Sequence, residues 1–257
     1  MPAGKIVILI GGLGLIGRGV AAGLARAGAR VVVASRGAGR ANALDDFAAL
    51  DEAARGRLEA MAADINDAAS LEALLSGTAA RHGHVDAVVN CAYPQQDGFG
   101  TRFENVRHDV FCANVSRHLG GFFLVAQKAC ALFTAQGGGT LVQFSSVYGL
   151  MNPRFELYEG TPMTKEVDYV VTKAAIIQLT GYLAQYHKGK GIRVNCVSPG
   201  GVFDRQHPAF LARYQARCAG KGMLDPDDIA GTVAFLVSDA SAHITGQNLV
   251  VDDGFSL

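Results

Sequence analysis

At 257 residues, 49% of them apolar, the chain can bury a sizeable core, and one domain is expected. Lys and Arg number 23, as do Asp and Glu, and no block of five like charges occurs, which argues against a nucleic-acid surface or a polybasic membrane patch. Cys91, Cys112, Cys130, Cys196 and Cys218 are odd in number, widely spaced and never form C-x-x-C, so reduced thiols in a cytoplasmic protein are expected, with no disulfide framework and no metal site.

The apolar run after Lys5 superficially resembles a signal peptide, but its glycines favour a buried strand and turn. No apolar stretch approaches the ~20 residues that span a bilayer. Short β-branched runs at 5–10, 29–35, 58–64, 85–90, 139–145, 192–198 and 247–253 predict strands. Helical period predicts helices near 16–28, 42–56, 68–82, 104–136 (broken at Gly120-Gly121), 166–188 and 226–238. Pro226 and the acids Asp225, Asp227 and Asp228 mark the start of the last one. The alternation predicts an α/β fold: a three-layer αβα Rossmann arrangement around a doubly wound, seven-stranded parallel sheet. Residues 149–165 and 200–224 break the alternation; both follow strands at the ligand-binding end of such a sheet, the first as a loop beside the site and the second as a substrate lid.

Between the first strand and first helix lies GGLGLIG, residues 11–17. Read from Gly12 it fits G-x-G-x-x-G, and read from Gly11 it fits G-x-x-G-x-x-G. Either register aims backbone N–H groups and the positive end of a helix dipole at one point, where a pyrophosphate fits. The second strand ends Ala34-Ser35-Arg36. An acidic residue there would bind the ribose hydroxyls of NAD; Ser35 leaves room and Arg36 supplies a cation for a 2′-phosphate, so NADP(H) is favoured and NAD(H) is the alternative.

DYVVTKAAI places Tyr169 and Lys173 four apart, on one helix face. Lowering a phenol's pKa by about three units takes roughly 4 kcal/mol. One ammonium at ~4 Å supplies about that much at an effective dielectric near 20. A Tyr-x-x-x-Lys pair can therefore work as an acid/base device. Upstream, GTLVQFSSVYG ends a strand with Ser146, whose hydroxyl could polarise a substrate oxygen.

The order of these features resembles the short-chain dehydrogenases/reductases over nearly the whole chain: the glycine turn, Asp64, VVNCA (88–92), CANVS (112–116), FSSVYG (144–149), YVVTK (169–173), NCVSPGG (195–201) and ITGQNLVVDDG (244–254). The resemblance implies hydride transfer between C4 of a nicotinamide and a carbonyl or alcohol carbon. It implies Tyr169 as general acid/base, Lys173 as the cation that eases loss of its proton and holds the nicotinamide ribose, Ser146 as the group orienting the substrate oxygen, and Asn114 as the holder of a relay water. It further implies a cofactor bound by Gly11, Gly14, Leu15, Ile16 and Gly17, with Asp64 and Ile65 along the adenine, Asn90 and Ala92 beside the central strand, and Pro199, Gly200 and Val202 bounding the nicotinamide. A homotetramer or homodimer through the segments 104–136 and 166–188 is also implied.

Several positions depart from the family pattern. Ile10 replaces a threonine, Leu15 the middle glycine of the turn, Tyr93 a glycine, Asp204 a threonine and Asp253 a glycine, and the spacing from Ser146 to Tyr169 is longer than usual. Polar residues in the two irregular stretches, Arg154, Tyr158, Asp204 and His207, together with Tyr93, are the expected contacts to a small polar substrate. The glycine loop with FDRQHPAFL, GKGMLDPDDI and GQNLVVDDGFSL resembles family members associated with flagellin glycosylation and nonulosonate sugars, which points to a sugar or sugar phosphate. Two rival readings stay open: a nucleotide-sugar epimerase or dehydratase, which the second glycine register permits, and a non-catalytic dinucleotide sensor.

Overall fold

The computed structural model describes residues 1–94 and 97–257. All seven apolar runs form strands: β1 (Ile6–Ile10), β2 (Arg30–Ser35), β3 (Leu58–Ala62), β4 (Ala87–Asn90), β5 (Gly139–Phe144), β6 (Ile192–Pro199) and β7 (Asn248–Val251). They build one sheet in the order β3-β2-β1-β4-β5-β6-β7, every pairing parallel. The strand order reverses between β1 and β4, which opens a crevice at the carboxyl ends of those strands, where ligands bind in open α/β sheets.

The helices are α1 (Leu15–Arg26), α2 (Glu52–Arg55), α3 (Ala68–His82), α4 (His108–Gln136), α5 (Val167–Tyr186), α6 (Pro208–Gln215) and α7 (Ala230–Val237). Because strand side chains alternate, Val7, Leu9, Val31 and Val33 build one core with α1 and α7, while Ile8, Ile10, Val32 and Leu141 build another with α3, α4 and α5. Two glycines let α1 approach its neighbour. A Cβ on Gly19 would lie 2.5 Å from the Pro226 carbonyl carbon, and one on Gly23 2.4 Å from the Ala230 Cβ.

Three expectations need correction. The segment 42–56 is no single helix but a 3-10 turn at Asp45–Phe47 followed by the one-turn α2. Asp51 restarts the helix by accepting the Ala54 N–H at 2.7 Å, a side-chain cap that competes with helix continuation. Second, α4 runs unbroken through Gly120-Gly121. Gly121 is a packing notch: a Cβ there would meet Ile65 Cδ1 at 2.6 Å. Third, α4 is long and apolar enough, by length and composition, to cross a membrane. It packs instead on the sheet through Phe122, Val125, Ala129 and Phe133.

The two irregular stretches pack on each other. Val147, Tyr148, Leu157 and Tyr158 share a third core with Phe210, Tyr214 and Phe255. The Arg213 guanidinium donates to the carbonyls of Leu157 and Glu159, and the Arg154 guanidinium to that of Leu257. Asp253 has a positive φ of 53°, a conformation that favours glycine, and its carboxylate accepts the N–H groups of Gly220 (3.1 Å) and Gly222 (2.7 Å). The aspartate thus turns a glycine position into a clamp on the second stretch.

Candidate active site

A groove of about 1230 Å³ runs across the carboxyl ends of β1, β2, β4 and β5. Midway along it the chain leaves β1 through Gly11, whose φ is +83°. A Cβ on Gly11 would lie 2.7 Å from the Ala92 backbone, and one on Gly17 would lie 2.1 Å from the Gly11 carbonyl oxygen. Both positions must therefore be glycine, and Gly14, N-cap of α1, donates its N–H to Gly11 O at 3.0 Å. The first turn of α1 carries no acidic side chain. This cradle suits a pyrophosphate, since it combines close backbone approach with the positive end of a helix dipole. Leu15, in place of a glycine, begins α1 and lines the groove with Ile16.

At one end of the groove, Ser35 and Arg36 line it where β2 finishes. Arg40 also lines it, and neither arginine forms an ion pair among the described residues. The sequence reading missed Arg40; a second cation four residues beyond Arg36 was the available signal. Asp64 and Ile65 lie on the opposite wall. Asp64 is held by its own turn, its Oδ1 accepting the Asn66 N–H at 2.9 Å. Ala92 lines the groove, whereas Asn90 is fully buried below it, with Oδ1 accepting the Ala92 N–H at 3.3 Å.

At the other end stand Tyr169 and Lys173, one turn apart on α5 and both in the groove wall. Lys173 is buried, donates from Nζ to the Phe144 carbonyl at 3.0 Å, and lies 5.6 Å from the centre of the Tyr169 ring. Burial lowers its pKa from 10.5 to about 8. Ser146 follows β5 and caps the next turn, its Oγ accepting the Tyr148 N–H at 3.2 Å, so its hydroxyl hydrogen remains available to donate. Gly149 lets that turn lie flat on α5: a Cβ there would sit 2.8 Å from the Lys173 backbone. Ser145 adds a bond from its Oγ to the Lys173 carbonyl at 2.6 Å.

Lys165 is a second unforeseen neighbour. It sits four residues before Tyr169 as Lys173 sits four after, places its Nζ 3.7 Å from the Tyr169 ring centre, and pairs with buried Glu166 at 3.3 Å. It also lines a second pocket of about 660 Å³, walled by Phe103, Phe155, Tyr158 and Met163 with Arg102 and Thr161 among the polar groups. Lys165 is thus common to both spaces.

The other expected residues are placed as follows. Tyr93 lines the groove with its ring edge-on to Tyr169, centres 5.8 Å apart. Tyr158 borders the second pocket, its hydroxyl 2.9 Å from that of Tyr148. Arg154, Asp204 and His207 line neither space: Arg154 reaches the Leu257 carbonyl, Asp204 is exposed in a loop turn, and His207 caps α6 by accepting the Ala209 N–H. Pro199 and Gly200 lie at the end of β6, where Gly200 donates to the Val251 carbonyl at 2.8 Å, and Val202 bridges to Leu224. Asn114 lines neither space. Its amide nitrogen donates to Asp168 Oδ2 at 2.7 Å and to the Asp97 carbonyl at 2.9 Å, and its oxygen accepts the Asp97 N–H, so its side chain fastens a loop to α5.

Against known proteins, residues 14–256 match the family model described as enoyl-(acyl carrier protein) reductase. The chain is 39% identical to post-translational flagellin modification protein A of Campylobacter coli, over 76% of each sequence. It is 31% identical to an L-rhamnose 1-dehydrogenase (NAD(P)(+)) of Azotobacter vinelandii, over 97% of this chain and 96% of that one. Its fold superposes on a short-chain dehydrogenase from Leptospira borgpetersenii with bound NAD+, with a TM-score of 0.84 at 31% identity, covering 99% of this chain and 94% of that one. On a match that spans all but the first 13 residues and the last one, the chain belongs to the short-chain dehydrogenase/reductase family of oxidoreductases.

Proposed function

We propose that the protein is an NAD(P)-dependent oxidoreductase of a small polar alcohol or carbonyl compound, a sugar or sugar derivative, with NADP(H) the preferred cofactor. The observation that carries this reading is continuity. One groove joins the glycine cradle, the Arg36 and Arg40 cations, and Tyr169 with Lys173, and it meets a second pocket at Lys165.

The glycines, Arg36 and Lys173 would hold a dinucleotide, which when bound supplies or accepts a hydride at its nicotinamide. Ser146 donates a hydrogen bond to the substrate oxygen and fixes its direction. Tyr169 passes a proton between its phenolic oxygen and that same oxygen. The Lys173 ammonium, anchored on the Phe144 carbonyl, stabilises the negative charge left on the phenol when the proton departs. Lys165 adds a second cation over the ring and closes the site toward the second pocket.

That pocket supports the substrate class. Aromatic faces from Phe103 and Phe155 beside cations and hydroxyls suit a hydroxylated ring, and the L-rhamnose dehydrogenase and the flagellin-modification relative fit the same chemistry. Exposed Phe123 on α4 with Val171 and Tyr182 on α5 supports assembly into a homodimer or homotetramer through those helices. Initial rates for a panel of aldoses, deoxysugars and sugar phosphates with NADP+ and NAD+ test the proposal. Turnover of a sugar with a preference for NADP+ is expected. Tight cofactor binding with no turnover of any alcohol or carbonyl compound would favour a sensor instead.

A further inference from the structure

His118 is fully buried on α4, one turn beyond Asn114, and no described protein group hydrogen-bonds either of its ring nitrogens. It belongs to a closed ring of side chains. Its ring centre lies 5.4 Å from that of Tyr93 and 5.4 Å from that of Phe122. Lys173 Nζ lies 5.2 Å from the Phe122 ring, and Tyr169 closes the circuit at 5.8 Å from Tyr93 and 5.6 Å from Lys173 Nζ. The imidazole lines neither the groove nor the second pocket and is linked to Tyr169 and Lys173 through the rings of Tyr93 and Phe122.

Strands β4 and β5 carry further unmatched groups on the side of the sheet that α4 and α5 cover. Asn90 and Gln143 are register partners on β4 and β5, both fully buried. Alternation turns them toward α4 and α5, as Val88 and Leu141 are turned, and the Gln143 amide reaches Thr180 of α5 at 3.5 Å. Asn90 Nδ2, a donor, and Gln143 Oε1, an acceptor, have no partner among the described protein groups. Buried donors and acceptors in such numbers are satisfied by ordered water in folded proteins. Leu or Phe would fill an apolar slot at 118 without this need.

We infer that His118 is a positioning residue: it holds an ordered water against Lys173 Nζ, and this water carries protons to the catalytic pair in place of the route expected through Asn114. Asn114 is committed to Asp97 and Asp168 and has no donor left for that task. In reduction, Tyr169 gives one proton to the substrate oxygen, Lys173 gives one to the phenolate, and one enters from solvent through the water to the amine. His118 has no net gain or loss. Burial and the Lys173 charge push its pKa down to about 2, so the imidazole stays neutral and keeps one nitrogen as an acceptor for the water.

The inference rests on the acid/base roles given to Tyr169 and Lys173, and the test separates the two. A crystal structure of the intact protein near 1.5 Å resolution should show a water within hydrogen-bond distance of a His118 nitrogen, joined to Lys173 Nζ directly or through one more water; a dry His118 overturns the proposal. In parallel, reduction of 2,3-butanedione by NADPH is followed in H2O and D2O. His118→Leu should lose about tenfold in kcat, show a larger solvent isotope effect and keep KM within about twofold, whereas His118→Gln should recover most of the rate. An unchanged rate and isotope effect in His118→Leu sinks the relay alone. Turnover by Tyr169→Phe sinks the acid/base reading beneath it. Should His118→Leu not fold, Gln143→Leu tests the same water layer from the sheet side, with the same criteria.

Discussion

Lys165 holds its ammonium 3.7 Å from the centre of the Tyr169 ring while also bordering the second pocket. A cation placed between the proposed acid/base and the second pocket acts on whatever occupies that pocket. Lys165→Met should raise KM for a polar substrate about tenfold, the equivalent of ~1.4 kcal/mol, and change kcat by less than about threefold. Steady-state kinetics decides; an unchanged KM would show that the charge is spent on Glu166 alone.

Tyr169→Phe removes one oxygen from the groove wall. Hydride transfer should fall by about 10³ or more while cofactor affinity stays within about twofold. Stopped-flow turnover and fluorescence titration of NADPH measure the two quantities separately. Retained turnover would end the acid/base assignment.

The proposed preference for NADP(H) rests on Arg36 and Arg40, which both line the groove. Arg36→Ala and Arg40→Ala should each weaken NADPH by about tenfold, the cost of one lost charge-assisted contact, and leave NADH nearly unaffected. Equal losses for both cofactors in calorimetric titrations would remove the basis for preferring NADP(H).

Lys173 links stability to pH. Its folded pKa, near 8, lies below its ordinary 10.5 because the ammonium is buried. Below pH 8 both folded and unfolded chains hold the proton, and the burial cost is present in full, about 3 kcal/mol. Between pH 8 and 10.5 the unfolded state binds more proton, so this group's contribution to stability rises with pH. Lys173→Met abolishes that term. Its stability advantage over the native protein in urea unfolding should therefore shrink from pH 7.5 to pH 10, and a constant difference would contradict the burial argument.

Much of this was legible in the sequence because it depends on local pattern. The seven strands, the glycine turn and the i, i+4 pair Tyr169 and Lys173 are written in spacing alone. What escaped is tertiary. Gly121 reads as a helix breaker until Ile65 is seen to fill its notch, and nothing in the sequence pairs the Asn114 amide with the Asp97 carbonyl. Arg154 and His207 looked like mouth residues because charge in a loop does not reveal that it is spent on a carbonyl or a helix cap. Lys165 was passed over for the opposite reason: only the folded turn before α5 brings it over the tyrosine ring.

Exposed Phe123, Val171 and Tyr182 give the association surface a direct check. Tyr182→Glu should shift the protein toward smaller species in light scattering, since a charge at the centre of an apolar interface is costly. A monomeric native protein would rule out that interface.

The clasp between Arg154 and the Leu257 carbonyl, with Phe255 stacked 4.1 Å from Tyr214, has an evolutionary reading. Segments a hundred residues apart in the chain are thereby fastened into one unit behind Pro153, Phe155 and Tyr158, which line the pocket. Relatives that change substrate should therefore change residues 153–163 and 253–257 together, leaving the groove proposed for the dinucleotide as it is. Substrate choice in this lineage would then be inherited as a paired trait, separable from cofactor choice.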